Sequence, residues 1–141
     1  MFLGEHSLRL DDKGRLVLPA KYREELAGGL VITKSRERCL YVFPQPYFLE
    51  LAQKLQTAAG RTGGHRGRMF FSSASEDTPD KQGRVTVPQS LREYAGLARD
   101  CTVVGNNDRL EIWDTPTWEA YLAEQESTFS EAAEEVLPGV L

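Results

Sequence analysis

Cysteine and histidine are scarce in this chain, two of each among 141 residues, and that scarcity narrows its chemistry. Cys39 and Cys101 stand far apart and form no CxxC pair, which suits a reduced compartment better than a disulfide scaffold. With only His6 and His65 beside them, no zinc site is expected. No window is apolar over the roughly 18 residues that a membrane span needs. The start, MFLGEHSLRL, lacks the basic stretch and apolar run of a secretory signal, so a cytoplasmic location is expected. Catalytic patterns are equally thin. Ser72, Ser73 and Ser75 have no G-x-S-x-G context, and neither phosphate-loop nor dinucleotide glycine patterns occur. Glu131, Glu134 and Glu135 read as a solvated acidic cluster, and Cys39, next to a strand, reads as a small buried hydrophobe rather than a nucleophile. Neither an enzyme, a cofactor, a metal nor a small-molecule substrate is expected.

An apolar content of 40% allows a real core, in one ordinary domain or two small ones. The formal net charge of −4 would by itself argue against a nucleic-acid partner. Its distribution says otherwise. Residues 108–141 carry nine acids and one base, Arg109, which leaves residues 1–107 at +4. A mildly basic body can therefore meet phosphates while the acidic end points elsewhere.

The main organising feature is an internal repeat. Asp11-Asp12-Lys13-Gly14-Arg15-Leu16-Val17-Leu18-Pro19 recurs as Asp80-Lys81-Gln82-Gly83-Arg84-Val85-Thr86-Val87-Pro88. The match continues through Arg23-Glu24 against Arg92-Glu93, and Leu40-Tyr41-Val42-Phe43 resembles Leu110-Glu111-Ile112-Trp113. The offset is 69 residues at first and 70 at the end, so one short turn is expected to differ in length. Two similar half-units follow from this.

Each half reads alike. An extended segment (residues 7–10 in the first) meets a turn at Lys13-Gly14 or Gln82-Gly83, where glycine suits a positive φ. A strand-like triplet comes next, and then Pro19 or Pro88, placed where proline is tolerated in the first turn of a helix. Helices are expected over residues 20–26 and 89–95. Hairpins follow, residues 30–33 with 40–43 and 101–105 with 110–113, the latter closed by Asn106-Asn107-Asp108. Residues 46–59 and 116–126 have amphipathic helical spacing. Residues 60–68, GRTGGHRGR, read as a glycine-rich basic linker whose Arg61, Arg66 and Arg68 could touch phosphates or simply be solvated. The end from Ser127 reads as an acidic, frayed tail.

Half-units of about sixty residues bury little apolar surface, so intertwining of the halves and association between chains are expected. The turns project Lys13, Arg15, Lys81 and Arg84 as a cationic ridge. Lys and Arg donate to phosphate, Arg also reads guanine bidentately, and the major groove admits a two-stranded ribbon. A carboxylate four residues back, Asp11 or Asp80, can orient the guanidinium. The alternative is that Asp and Arg only pin the turn and touch no ligand. Both stay open on the residues alone.

With the DKGR-LVLP and DKQGR-VTVP units in hand, the chain resembles the MraZ family over nearly its whole length. The resemblance rests on the MFLGEH start, LPAKYRE after the first motif and VPQSLREYAGL after the second. It implies an α+β, mainly β fold: two AbrB-like (SpoVT-AbrB) swapped-hairpin half-domains forming an intrachain pseudo-dimer, with flanking helices. On that basis residues 5–47 are the first domain, 48–75 a helix and Gly/Arg-rich linker, 76–119 the second domain, and 120–141 a helix end and acidic tail. The resemblance further implies a nucleoid-associated regulator in a ring-like homo-oligomer. Its partner would be double-stranded promoter DNA, at repeats upstream of the cell-division and cell-wall gene cluster. Arg15, Arg84, Lys13 and Lys81 would bind DNA, and Asp11, Gly14, Asp80 and Gly83 would support the turns. Gln82 stands where the first turn has Lys13, so the halves are expected to contribute unequally. An oligomeric protein-interaction module of the antitoxin-like AbrB type is the alternative.

Overall fold

The computed structural model describes the backbone of residues 1–59, 63–136 and 139, and the side chains of residues 1–57 and 67–129. The chain runs β1 (Glu5–Arg9), β2 (Arg15–Val17), α1 (Ala20–Leu26), β3 (Leu30–Lys34), β4 (Leu40–Pro44), α2 (Gln45–Ala59) and α3 (Gly63–Ser73). It continues with β5 (Ser75–Asp77), β6 (Arg84–Thr86), α4 (Gln89–Tyr94), β7 (Asp100–Asn106), β8 (Arg109–Asp114) and α5 (Thr115–Val136). The fold is α+β and rich in sheet.

Strand alternation explains the layers. In β4, Leu40 and Val42 face one side and Tyr41 and Phe43 the other; in β8, Leu110 and Ile112 alternate likewise with Glu111 and Trp113. All strands but two join one antiparallel sheet, ordered β1-β7-β8-β4-β3-β5. The other two, β2 and β6, pair with each other as a short ribbon. The ribbon and the short helices α1 and α4 cover one face of the sheet. Their Leu16, Leu18, Tyr22, Leu26, Val85, Val87 and Leu91 are buried against Ile32, Val42, Val103 and Ile112. The opposite face is covered by α2 and α3 over β3 and β4, and by α5 over β7 and β8.

Pairing crosses between the halves and does so reciprocally. β1 of the first half pairs with β7 of the second, and β5 of the second pairs with β3 of the first. Ser7 lies opposite Thr102 just as Glu76 lies opposite Val31. The hairpin registers refine the repeat. Ile32 pairs with Val42 and Val103 with Ile112, so equivalent positions are 71 apart in β3 and β7 but 70 apart in β4 and β8. Two connections therefore differ in length, helix to strand and the hairpin turn, where a single differing turn was expected.

Two segments depart from the sequence reading. The glycine-rich stretch expected to be a linker is helical from Gly63 onward, in α3. Glycine disfavours helix by about 1 kcal/mol each, but Phe70 stacks on Phe48 with centroids 5.7 Å apart and also meets Phe43, and this packing holds the segment. The segment expected to fray from Ser127 continues helical to Val136 in α5. Arg61 and the side chains of His65, Arg66, Glu131, Glu134 and Glu135 lie outside the described residues.

Candidate nucleic-acid interface

Each turn before the ribbon is built by one aspartate. The Asp11 carboxylate accepts from the backbone N–H of Lys13 (2.9 Å) and of Arg15 (2.8 Å), and its second oxygen accepts from Arg15 Nε at 2.8 Å. Asp80 repeats the arrangement with the N–H of Gln82 and Arg84, each at 2.9 Å, and with Arg84 Nε at 2.7 Å. The backbone bond from Arg15 is the main reason that the Asp11 carboxyl sits below its ordinary pKa, and that from Arg84 does the same for Asp80. Gly14 and Gly83 close the turns at φ +77° and +78°, a region that side-chain-bearing residues rarely adopt.

The ribbon register brings the two arginines together. Leu16 lies opposite Val85, and both are buried; Arg15 lies opposite Thr86 and Val17 opposite Arg84. By alternation Arg15, Val17, Arg84 and Thr86 share the outward face, the two arginines on a diagonal about 7–8 Å apart. The Nε pairing occupies one of the five donors of each guanidinium, so pinning a turn and binding a ligand are compatible roles for the same side chain. Lys13 and Lys81 are exposed, but the structure does not gather them, because their turns flank opposite ends of the ribbon. Val17, 45% exposed, is an apolar side chain left open in the middle of this charged face.

Sequence reasoning missed a pair of supports. The Arg23 guanidinium packs on Gly83 of the other half, and Arg92 packs on Gly14, so that a Cβ at either glycine would collide with it. Arg23 Nε also donates to the Leu18 carbonyl at 3.0 Å. The signal was present, since Arg23-Glu24 and Arg92-Glu93 stand at equivalent places in the repeat. Their target lay in the opposite half, where only the fold could put it. The turns are also stitched to the opposite strands: Leu18 N–H donates to the Gly83 carbonyl and Val87 N–H to that of Gly14, both at 2.8 Å.

Burial pushes the Cys39 thiol up to about 12 and the Cys101 thiol up to about 11, so neither is a thiolate at neutral pH. Among the described residues no cluster of His, Cys, Asp and Glu could hold a metal ion, and no helix is long and apolar enough to cross a membrane.

Comparison with known proteins is consistent over the full length. The sequence matches the family described as "MraZ protein, putative antitoxin-like" over residues 1–66 and 70–138. It is 62% identical to the transcriptional regulator MraZ of Parafrankia sp. (strain EAN1pec), with all of both chains covered. Identity to the transcriptional regulator MraZ of Thermobifida fusca is 63%, again with both chains covered completely. The protein of that name in Micrococcus luteus is 56% identical over 99% of each chain.

Proposed function

This chain belongs to the MraZ family, and on that premise we propose that it is a sequence-specific DNA-binding transcriptional regulator rather than an enzyme. It acts on repeats upstream of the cell-division and cell-wall gene cluster, in the cytoplasm and associated with the nucleoid. The observation that carries this reading is the outward face of the β2–β6 ribbon, where Arg15 and Arg84 are oriented by Asp11 and Asp80. A two-stranded ribbon fits the major groove, Arg can read guanine, and Lys13 and Lys81 serve phosphates at the two ends. The crossed pairing of β1 and β5 supports two AbrB-like half-domains, residues 5–47 and 76–119, interlocked as an intrachain pseudo-dimer. One ribbon per chain is a small reading surface. A homo-oligomer with several ribbons engages repeated sites through avidity.

The test is a mobility shift on DNA upstream of the protein's own gene, with scrambled competitor and at two salt concentrations. Specific binding lost in Arg15→Ala and in Arg84→Ala, with the oligomer intact, supports the reading. Unchanged affinity in both variants overturns the site assignment. The antitoxin-like description of the family favours one second reading, in which the same cationic face holds an acidic protein. Absence of any shift, together with a nuclease-resistant partner lost in Arg15→Ala, would establish it.

A further inference from the structure

Four side chains make the outward face of the β2–β6 ribbon: Arg15 directly opposite Thr86, and Val17 directly opposite Arg84. Three of them carry hydrogen-bonding groups, and Val17 carries none. Its chain neighbours Leu16 and Leu18 are buried, whereas Val17 is left in solvent, flanked by Arg15 along its own strand and by Arg84 across the ribbon. A single exposed apolar residue on a general surface calls for no explanation. This one stands in the middle of the face that carries the two oriented arginines. Strands favour β-branched residues, but threonine meets that preference as well as valine does. Thr86 occupies the equivalent place in the repeat, so backbone preference does not account for a fully apolar side chain at position 17.

The two ends of the face differ in their surroundings as well. Asp77 on β5 accepts the Thr86 backbone N–H at 2.8 Å, which brings a carboxylate to the Arg15–Thr86 end. β1 and β5 occupy equivalent places, and Leu8 stands where Asp77 does, so β1 brings no such carboxylate to the Val17–Arg84 end. In the major groove thymine alone presents an apolar C5 methyl group, and an apolar side chain is its complement. Threonine can offer either a methyl or a hydroxyl, and so discriminates less. Residues directly opposite in an antiparallel pair have Cβ atoms ~4.5–5.5 Å apart, and successive base pairs are ~3.4 Å apart. Side chains reaching out from positions 17 and 84 therefore meet neighbouring base pairs. Asp80 occupies Nε of Arg84 and leaves the other guanidinium donors for a base.

We propose that Val17 is a specificity-determining residue, which packs on the 5-methyl group of a thymine next to the guanine that Arg84 reads. The Arg15–Thr86 end has no apolar counterpart. The face therefore reads DNA with a direction, although its two arginines are related by the pseudo-symmetry of the repeat. The inference rests on the proposed reading of DNA by this face and adds to it a second base and the side chain that recognises it.

The test is a mobility-shift titration on DNA upstream of the protein's own gene, with each thymine of one repeat replaced singly by uracil. Uracil pairs identically and lacks only the methyl group. Wild type and Val17→Ser are compared on every probe, with circular dichroism to show that the variant is folded. For wild type, removing the methyl group of one thymine in the repeat is expected to cost about 4-fold in affinity, the worth of one buried methyl-sized group. Val17→Ser should bind the unmodified DNA more weakly by at least that factor and lose nothing further at that thymine, so the two changes are not additive. Full affinity of wild type on every uracil probe overturns the inference without any variant. A uracil penalty of the same size in Val17→Ser at every sensitive thymine overturns it too. In both cases a specific shift that depends on Arg15 and Arg84 leaves the regulator reading standing. A wild type without a specific shift overturns both.

Discussion

The two turns at the ends of the ribbon share a geometry and differ in what they present. Asp11 and Asp80 make the same three bonds to equivalent donors, and Gly14 and Gly83 differ by one degree in φ. Lys13 corresponds in the repeat to Gln82, however, and Val17 to Thr86. Residues that build the turn recur; those that only look outward vary. The pseudo-symmetric face is thus chemically lopsided, and the lopsidedness is confined to side chains that can touch a ligand without disturbing the fold.

The largest effect should come from the ribbon's buried side. Leu16 and Val85 oppose each other with almost no exposure. Leu16→Ala is expected to cost about 2–5 kcal/mol of unfolding free energy, and Val85→Ala about 0.8 kcal/mol less for the smaller side chain. Chemical denaturation measures both. A loss below 1 kcal/mol for Leu16→Ala would mean that the ribbon is not a core element.

Next comes the outward face, where the halves can be compared directly. Arg15→Ala and Arg84→Ala should each weaken specific DNA binding by about 5- to 150-fold, the equivalent of ~1–3 kcal/mol. Losses within a few-fold of each other would show that both halves read the operator. A loss confined to one variant would break the equivalence and assign reading to that half.

Smaller and of different character is the lysine effect. Lys13→Ala should weaken specific and non-specific DNA about equally and lower the salt slope by about one. Gln82→Lys, which gives the second turn the first turn's cation, should raise both. A change of specificity in either variant would move these positions from phosphate to base contact.

The smallest effect is that of pH. Asp11 and Asp80 titrate lower in the folded protein than in the unfolded chain, so their charged form favours folding. Their contribution is complete above about pH 5 and is lost as pH falls through the folded-state values. Thermal midpoints should be insensitive to these groups from neutral pH down to about 5. Asp11→Asn/Asp80→Asn should flatten the acid limb of the profile below that. An acid limb of unchanged steepness would show that other carboxylates govern it.

Most of the local structure is legible in the amino-acid sequence. The glycine turns, the triplet strands and the prolines just ahead of α1 and α4 follow from backbone preferences that act within a few residues. Pro19 and Pro88 occupy the cap position, one residue earlier than a first-turn placement. Glycine at residues 60, 63, 64 and 67 suggests a linker because propensity reasoning cannot see Phe43 and Phe48 waiting on the sheet and α2. The acidic end likewise looks frayed, because nothing in its own composition reveals that α5 is started by the Trp113–Trp118–Tyr121 stack.

By itself the sequence determined that two copies of one unit exist, which side chains each turn carries, and that Asp11–Arg15 and Asp80–Arg84 are paired by a four-residue spacing. These are short-range consequences of steric and hydrogen-bonding chemistry. Only the tertiary structure decided which strand meets which. A three-residue strand such as β2 or β6 has too little pattern to name its partner, and burying Leu16 against Val85 is a choice made between segments 69 residues apart. That choice put Arg15 and Arg84 on one face and placed Arg23 and Arg92 beneath the opposite turns. Long-range burial of apolar surface made it, and no window of the sequence contains both partners.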